Sequence, residues 1–213
     1  MCEMELIIIR HGETEWNRER VFRGRRDIRL NSTGIAQADA TAKVLEGRVF
    51  DAIYTSPLKR SLVTARRIAK PHEMAVREEF GLSDISYGAW EGLSEETVKR
   101  EYPKMHEKWL ENPAKARFTG GETMKRAWKR INSSLREIIW THGTGTVVIV
   151  SHRVPIKMMT AYLLHQKRDA IGGIRHDPCA MSIFKIKHRD YEPVVLNDSN
   201  HLKWLNLPPM DDF

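Results

Sequence analysis

Short apolar segments rich in β-branched residues alternate with amphipathic helical segments along most of the chain. Strands are predicted at residues 5–10, 51–55, 146–150, 181–186 and 193–196. Helices are predicted at residues 31–45, 56–68, 94–110, 122–140 and 155–164, with Ser56 as an N-cap followed by Pro57 at the first helical position. Strands that alternate with helices pair in parallel and carry helices on both faces of the sheet. The pattern therefore predicts an α/β fold, a three-layer α/β/α sandwich with a mostly parallel central sheet.

The length and composition limit the number of domains and exclude several classes of protein. A chain of 213 residues without internal repeats suits one domain, which we place at residues 1–202, followed by a C-terminal tail at residues 203–213. Hydrophobic residues make up 41% and charged residues 30%, proportions typical of a soluble globular protein. The longest apolar runs are strand-sized, far below the roughly 20 residues of a membrane-spanning helix. We therefore expect no membrane partner.

The cysteines and the charge indicate the compartment and the type of partner. Cys2 and Cys179 are too few for a disulfide framework, and the first residues do not resemble a signal peptide, so we expect a cytoplasmic location. Lys and Arg number 35 against 28 Asp and Glu, a net charge of +7 that attracts anions. The predicted strands lack the interleaved aromatic and basic residues of single-strand binders, so we expect no nucleic-acid partner. The oligomeric state is open, and a homodimer is compatible with the sequence.

Polar residues suited to binding an anion follow three of the predicted strands. These runs are Arg10-His11-Gly12-Glu13-Thr14, Ser56-Pro57-Leu58-Lys59-Arg60 and Ser151-His152-Arg153. Ligands of open α/β sheets bind at the carboxyl ends of the strands, so the three runs are expected at one edge of the sheet. Arginine forks bind a phosphoryl group bidentately, and the helix N-terminus at Ser56 would add N–H donors. The pattern predicts a pocket for a small anionic phosphorylated substrate.

Two histidines in such a pocket need separate functions. One neutral imidazole can attack phosphorus in line and form a phosphohistidine, while the other stabilises the equatorial oxygens. The leaving alkoxide also needs a proton, which a nearby carboxyl group can supply. None of the nine histidines has a convincing metal-binding spacing, since His106 has Leu110 where a zinc helix would need a second histidine. We therefore expect no metal and no cofactor, and His106 is expected on a helix surface.

Five ordered motifs carry a resemblance to a known family. They are Arg10-His11-Gly12-Glu13-Thr14 with Trp16-Asn17, Ser56-Pro57-Leu58-Lys59-Arg60 with Thr64-Ala65, Tyr87-Gly88-Ala89-Trp90-Glu91-Gly92-Leu93, Gly120-Gly121-Glu122-Thr123, and Ser151-His152. Together they resemble the histidine phosphatase superfamily, also called phosphoglycerate mutase-like, over residues 5–200. The resemblance implies an α/β sandwich and a metal-independent phosphatase of the histidine acid phosphatase type with a phosphohistidine intermediate.

The resemblance also implies roles for individual residues. His11 matches the nucleophile, and the phosphate pocket matches Arg10, Arg60 and His152. The candidate substrate-binding residues are Asn17, Arg23, Gly24 and Arg153.

The general acid is less directly matched. The family places a glutamate a few residues before the Gly-x-Trp-Glu-Gly segment, where this sequence has Asp84. Asp84 is our candidate acid, although its side chain is one methylene shorter. A closer loop or a relaying water would compensate for that length, and Glu13 and Glu91 are the alternative carboxylates.

The sequence allows two roles each for Arg153 and for a run of arginines after the nucleophile. Arg153 stands where the family has a small residue, and it either adds a cation to the pocket or points into solvent. A run of arginines follows the nucleophile and either recognises a distal anionic group of the substrate or forms a solvated face: Arg18, Arg20, Arg23, Arg25, Arg26 and Arg29.

Three functions are compatible with these motifs. A phosphomonoester hydrolase is favoured, a cofactor-dependent phosphoglycerate mutase is the alternative within the family, and a non-catalytic phospholigand-binding protein is the alternative outside it. Residues 94–119 separate two of the motifs, too short a segment for the insertion that typically closes mutases of this family against water. Access of water to the intermediate favours hydrolysis.

Overall fold

A six-stranded sheet lies at the centre of the computed structural model, which describes residues 3–188 and 190–207. In chain order its strands are β1 (Met4–Arg10), β2 (Ala52–Thr55), β3 (Val76–Glu78), β4 (Gly145–Ser151), β5 (Met181–Lys187) and β6 (Asp190–Asp198). Their spatial order is β3-β2-β4-β1-β5-β6; the first four pair in parallel, and β5 and β6 are antiparallel. The predicted mostly parallel sheet is confirmed. Strand β3 was missed because its three residues carry no alternating apolar pattern.

Helices cover both faces of the sheet. Within the described residues they are α1 (Glu15–Arg18), α2 (Ser32–Leu45), α3 (Lys59–Ala69), α4 (Glu95–Glu101), α5 (Pro103–Glu111), α6 (Met124–His142) and α7 (Arg153–Leu163). Successive side chains of a strand point to opposite faces. Ile7 and Val148 therefore pack under α2 and α3, whereas Leu6 and Ile149 belong to the larger core under α4 to α7. This is the predicted three-layer sandwich.

The single helix predicted at residues 94–110 is wrong, because α4 and α5 are separate helices. Pro103 has no N–H to donate, and its ring disfavours helical backbone at the preceding residue. Tyr102 accordingly has φ −129° and ψ 47°. The predicted surface position of His106 is also wrong, because its side chain is buried and its Nε2 lies 3.2 Å from Glu95 Oε1.

The predicted start of α3 is displaced by two residues. The helix begins at Lys59 with Leu58 as the N-cap, rather than at Pro57 with Ser56 as the N-cap. The Ser56 hydroxyl instead lies 2.7 Å from His152 Nε2, so a long-range contact replaces the local cap.

The end of the described chain packs against α2. Residues Asn200–Leu205 form a 3₁₀ helix in which Leu202 is buried against Ala38 and Cys179. The predicted boundary at residue 203 falls inside this helix, and residues 208–213 of the predicted tail lie outside the described residues. None of the helices in the described part of the chain is long and apolar enough to cross a lipid bilayer.

Candidate active site

The ends of β1 and β4 bring two histidines into ring contact. Arg10 pairs with Ser151 in the parallel register, so His11 and His152 leave neighbouring strands at the same level of the sheet. Their ring centroids lie 5.1 Å apart with the planes inclined at 60°, and both side chains are buried. The convergence of imidazoles that the strand ends predict is present in the structure.

Hydrogen bonds define which ring nitrogen of each histidine carries a proton. His11 Nδ1 lies 2.6 Å from the Gly12 carbonyl oxygen, which can only accept, so Nδ1 carries the proton and Nε2 keeps its lone pair. His152 Nδ1 accepts from Arg60 Nε at 3.1 Å, so a neutral His152 carries its proton on Nε2, beside Ser56 Oγ. The two rings thus offer a lone pair on His11 and an N–H donor on His152.

Arg60, in the first turn of α3, connects the histidines with the candidate acid. Besides its bond to His152, the guanidinium donates to the carbonyl oxygens of Arg26 and Gly24, both at 2.8 Å. Its Nη2 also lies 3.4 Å from Asp84 Oδ2. Burial lowers the pKa of Arg60 to about 10, so the group is still a cation at neutral pH. It is a fixed positive charge for an oxyanion bound between the rings.

Two further cations and an amide surround the pair. Arg10 Nη1 donates to the His176 carbonyl oxygen at 2.8 Å, and the buried Arg23 donates to a main-chain carbonyl of α1 at 3.1 Å. Asn17 Oδ1 accepts from both the N–H and the hydroxyl of Thr14. Asn17 Nδ2 is buried and donates to none of the residues that the structure describes. A buried donor in this position is suited to an oxygen of a bound ligand.

The protonation states of the site follow from burial and from the arginines. Burial, followed by the charges of Arg60 and Arg10, lowers the pKa of His11 well below its usual value. Burial and Arg60 lower the pKa of His152 in the same way. Burial raises the pKa of Asp84, although Arg60 opposes the shift. Neutral imidazoles and a carboxyl group that keeps its proton to higher pH are the forms that a nucleophile and a general acid require.

The loop that carries Asp84 is held by three side chains, which we call the acid-loop clamp: Arg25, Glu122 and Arg130. Arg130 Nη1 donates to two carbonyl oxygens that precede Asp84 in the loop, at 2.9 Å each. Glu122 accepts from Arg130 at 2.7 and 3.0 Å and from Arg25 at 3.1 Å. Arg25 and Arg130 also donate to the Asp84 carbonyl oxygen, at 3.3 and 3.4 Å.

The alternative acids are engaged elsewhere. Glu91 Oε1 accepts from the Tyr87 N–H and from the Ser86 hydroxyl, both at 3.0 Å. Glu13 Oε1 accepts from Asn31 Nδ2 at 2.7 Å. Among these three candidate carboxylates, Asp84 is the one in contact with Arg60.

The predicted anion site at the N-terminus of α3 is wrong. The Leu58 N–H donates to Ser56 Oγ at 3.3 Å, and the Lys59 N–H donates to Asp27 Oδ1 at 2.8 Å. Lys59 Nζ also pairs with Asp27 at 3.0 Å. A carboxylate of the protein therefore takes the helix N-terminus that the sequence assigned to a substrate oxygen.

The arginine run after the nucleophile is largely paired within the protein. Four of its members lie within ion-pair distance of acidic side chains: Arg18 with Glu13, Arg20 with Glu95, Arg25 with Glu122, and Arg26 with Glu91. Gly24 has φ 50°, and a Cβ there would overlap the Glu91 carboxylate, so this position needs glycine to bring its carbonyl to Arg60. Arg153 is the first residue of α7 and is half-buried. It lines a cavity that none of the histidine or phosphate-pocket side chains lines.

The supporting contacts were not found from the sequence. Ser56 and Thr64 belong to a recognised motif, yet their roles appear only in the structure, where the Gly12 N–H donates to Thr64 Oγ1 at 3.1 Å. The acid-loop clamp joins residues almost 100 positions apart, and no spacing rule reports such a contact. The Gly120-Gly121-Glu122-Thr123 motif was the available signal for its central carboxylate.

Comparison with known proteins assigns this fold to one class of phosphatases. The chain belongs to the histidine phosphatase superfamily (branch 1), whose family model matches residues 6–199. It is 34% identical to phosphoserine phosphatase 1 of Hydrogenobacter thermophilus over 93% of this chain and 94% of that protein.

Solved structures agree with this assignment. A phosphoserine phosphatase mutant from Entamoeba histolytica, in complex with phosphoserine, has 30% sequence identity and a TM-score of 0.83, covering 93% of this chain and 99% of that one. The alpha-ribazole phosphatase from Shigella flexneri has 25% identity and a TM-score of 0.85, covering 92% and 96%.

Proposed function

We propose that the protein is a phosphatase that hydrolyses phosphomonoesters of small metabolites through a phosphohistidine at His11. The observation that carries this proposal is the 5.1 Å contact between two buried imidazoles, of which His11 keeps a lone pair on Nε2 and His152 carries a proton on Nε2. Arg10, Arg60 and Arg23 surround the pair and neutralise the charge of a bound phosphoryl group. Asn17 Nδ2 supplies a further donor to that group.

The first half-reaction transfers the phosphoryl group to the protein. His11 Nε2 attacks phosphorus in line, the P–N bond forms, and the ester P–O bond breaks. Asp84 gives its proton to the leaving alkoxide, and the raised pKa of Asp84 keeps that proton available. His152 and Arg60 stabilise the equatorial oxygens during the transfer.

The second half-reaction restores the enzyme. The Asp84 carboxylate takes a proton from water, the water oxygen attacks phosphorus, and the P–N bond breaks. Inorganic phosphate leaves, while His11 returns to the neutral form and Asp84 to the protonated form. The same carboxyl group thus acts first as acid and then as base.

The relatives indicate the substrate class. The proteins reported above are named for phosphoserine and alpha-ribazole phosphate, which are small phosphorylated metabolites. We extend that class to this chain. The cytoplasmic location and the homodimer stay predictions from the sequence.

Turnover of p-nitrophenyl phosphate by the purified protein, with a chelator present, tests the proposal. We expect phosphate release that is lost in His11→Ala, and an acid-labile phosphoryl adduct on His11 by mass spectrometry after rapid quenching. His188→Asn is a matched control, because His188 is exposed with φ 61°, a conformation that asparagine tolerates. Full activity in His11→Ala would refute the proposed nucleophile, and no turnover of any phosphomonoester would favour a phospholigand-binding protein.

A further inference from the structure

The hydroxyl of Ser56 contacts the histidine pair but takes no part in the two half-reactions as written. Ser56 is fully buried at the carboxyl end of β2, where its N–H donates to the Val150 carbonyl oxygen at 3.2 Å. Strand β2 pairs in parallel with β4, so Ser56 lies beside the strand end from which His152 leaves. Ser56 Oγ lies 2.7 Å from His152 Nε2. The hydroxyl is thus in direct contact with one of the two imidazoles of the site.

The hydrogen bonds around Ser56 leave its own proton without an acceptor. Arg60 Nε can only donate, so the neutral His152 accepts on Nδ1 and donates its Nε2 proton to Ser56 Oγ. The Leu58 N–H donates to the same oxygen at 3.3 Å. A hydroxyl has two lone pairs and one proton, and these two donors occupy both lone pairs. Within the part of the chain that the structure describes, the hydroxyl proton has no further acceptor at hydrogen-bond distance.

The surroundings of this proton indicate an oxyanion as its acceptor. Buried polar groups of folded proteins are almost always hydrogen-bonded, so an unused buried donor needs a ligand or a water molecule to complete it. Ser56 touches His152, whose ring is in contact with that of the nucleophile His11, 5.1 Å between centroids. The buried cation Arg60 contacts the same imidazole and attracts anions to this place. The phosphoryl group that His11 attacks supplies the missing oxygen.

We propose that Ser56 is a further catalytic residue, whose hydroxyl donates to an oxygen of the transferring phosphoryl group. The proposal rests on the proposed phosphatase function. Three hydrogen bonds then run in one direction, from Arg60 to His152, from His152 to Ser56, and from Ser56 to the phosphoryl oxygen. Each donor is polarised by the one before it, so the charge of Arg60 strengthens the last bond. The stabilisation that His152 gives to the equatorial oxygens passes through Ser56.

Ser56→Ala removes the last donor of this chain. It should lower kcat/KM by about 10²-fold, the cost of deleting one donor to a developing oxyanion. Every substrate carries the same phosphoryl group, so formation of the phosphohistidine should slow equally for p-nitrophenyl phosphate and for an alkyl phosphate. Ser56→Thr keeps the hydroxyl and should recover most of the loss.

The state of His152 separates a donor from a residue that only holds the ring. Arg60 still donates to His152 Nδ1 in Ser56→Ala, so the ¹⁵N chemical shifts of His152 should continue to report a proton on Nε2. A shift of that proton to Nδ1 in the variant would assign the loss of activity to His152 and overturn the role of Ser56 as a donor.

Ser61→Ala is the matched control. Ser61 is equally buried, in the first turn of α3, but its hydroxyl donates to the Val150 carbonyl oxygen at 2.9 Å. Its removal should lower the free energy of unfolding and leave kcat/KM close to that of the wild type. If Ser56→Ala does not fold, Ser56→Cys gives the same comparison, because a thiol of similar shape is a weak donor.

The outcomes for Ser56 are distinct from those for the phosphatase function. Wild-type kcat/KM in Ser56→Ala, or a loss no larger than that in Ser61→Ala, would overturn the inference. Turnover that is still abolished by His11→Ala would leave the phosphatase assignment standing in that case. A wild-type protein that hydrolysed no phosphomonoester would refute the function and this role of Ser56 together.

Discussion

At the scale of single residues, the site depends on where protons are held. Arg60 Nε donates to His152, and the Gly12 carbonyl accepts from His11, so each imidazole has one nitrogen fixed by the protein. Asp84 lies against Arg60 yet has a raised pKa, because its burial outweighs the attraction of the guanidinium. The carboxyl group is thus neutral over a wider pH range than an exposed aspartate.

The role of Asp84 as proton donor predicts a dependence on the leaving group. In Asp84→Asn, turnover of an alkyl phosphate should fall by about 10²- to 10⁴-fold, because the alkoxide then leaves without a proton. Formation of the phosphohistidine from p-nitrophenyl phosphate, whose leaving group is stable as an anion, should fall much less. Stopped-flow release of the first alcohol measures this step for both esters. Equal slowing of the two would argue against Asp84 as the acid.

The same residue predicts the pH profile. For an alkyl phosphate, kcat/KM should fall as pH rises through the raised pKa of Asp84, since the acid is then deprotonated. On the acid side, the lowered pKa of His11 keeps the nucleophile neutral well below pH 6.5. The alkaline limb for alkyl phosphates should therefore follow Asp84, and the acidic limb should lie well below pH 6.5. Asp84→Asn should remove the fall of kcat/KM at high pH. If that fall persisted in the variant, it would reflect the titration of a group other than Asp84.

At the scale of elements, the acid-loop clamp links α6 to the loop that carries Asp84. Arg130 projects from α6 and satisfies carbonyl oxygens of that loop, one of them in the short 3₁₀ helix Phe80–Leu82. Glu122 keeps Arg130 and Arg25 together, so one carboxylate orders both guanidinium groups. The clamp acts on catalysis through the position of Asp84.

A substitution that weakens the acid-loop clamp should have the same kind of effect as Asp84→Asn, but a smaller one. We expect Arg130→Gln to lower kcat for alkyl phosphates by about 10-fold or more, because small displacements of a catalytic group are costly. The effect on the first step with p-nitrophenyl phosphate should be smaller. Arg136→Gln is the control, since Arg136 is an exposed residue of the same helix that contacts its own helix.

The ratio of the two substrate effects distinguishes positioning from general damage. If Arg130→Gln slowed alkyl and aryl esters equally, or only lowered the free energy of unfolding, the clamp would have a structural role alone. Arg130→Lys should retain only part of the wild-type activity toward alkyl phosphates, because lysine lacks the fork that contacts two carbonyl oxygens and Glu122 together.

At the scale of the whole molecule, the fold buries three histidines in their neutral form. His11, His152 and His176 are each at most 3% exposed, and each has a lowered pKa. For His176, burial and then the charge of Arg10 lower the pKa to about 3. In the unfolded chain these imidazoles would titrate near pH 6.5.

Acid should therefore destabilise the folded protein. Between about pH 6.5 and the folded pKa, the unfolded state binds more protons, so the free energy of unfolding falls as pH falls, by up to about 1.4 kcal/mol per pH unit for each histidine. Asp84 has the opposite sign, because its folded pKa is raised. Urea unfolding of wild type and His176→Gln at several pH values measures the slope. The variant should have the shallower slope below pH 6, and an unchanged slope would mean that His176 is not neutral in the fold.

The sequence by itself determined the layers and the candidate chemistry. Alternating strand and helix periods predicted the sandwich, and polar runs after three strands predicted the meeting of His11, Arg60 and His152, because parallel strands end at a common edge. These features depend on local periodicity and on chain direction, which the order of residues carries. The break at Pro103 was also readable in principle, since proline acts on its immediate neighbours.

The tertiary structure alone decided which polar groups serve the site and which serve the scaffold. Asp27 caps α3 in place of a substrate, Glu91 accepts from the backbone N–H of Arg25 next to Gly24, and Arg130 holds the loop of Asp84. Each of these contacts joins residues distant in the chain. The identity of a charged residue in the sequence does not reveal whether its partner is a ligand or a carbonyl oxygen. Burial, which sets the pKa of Asp84 and of the histidines, arises only when all the layers pack together.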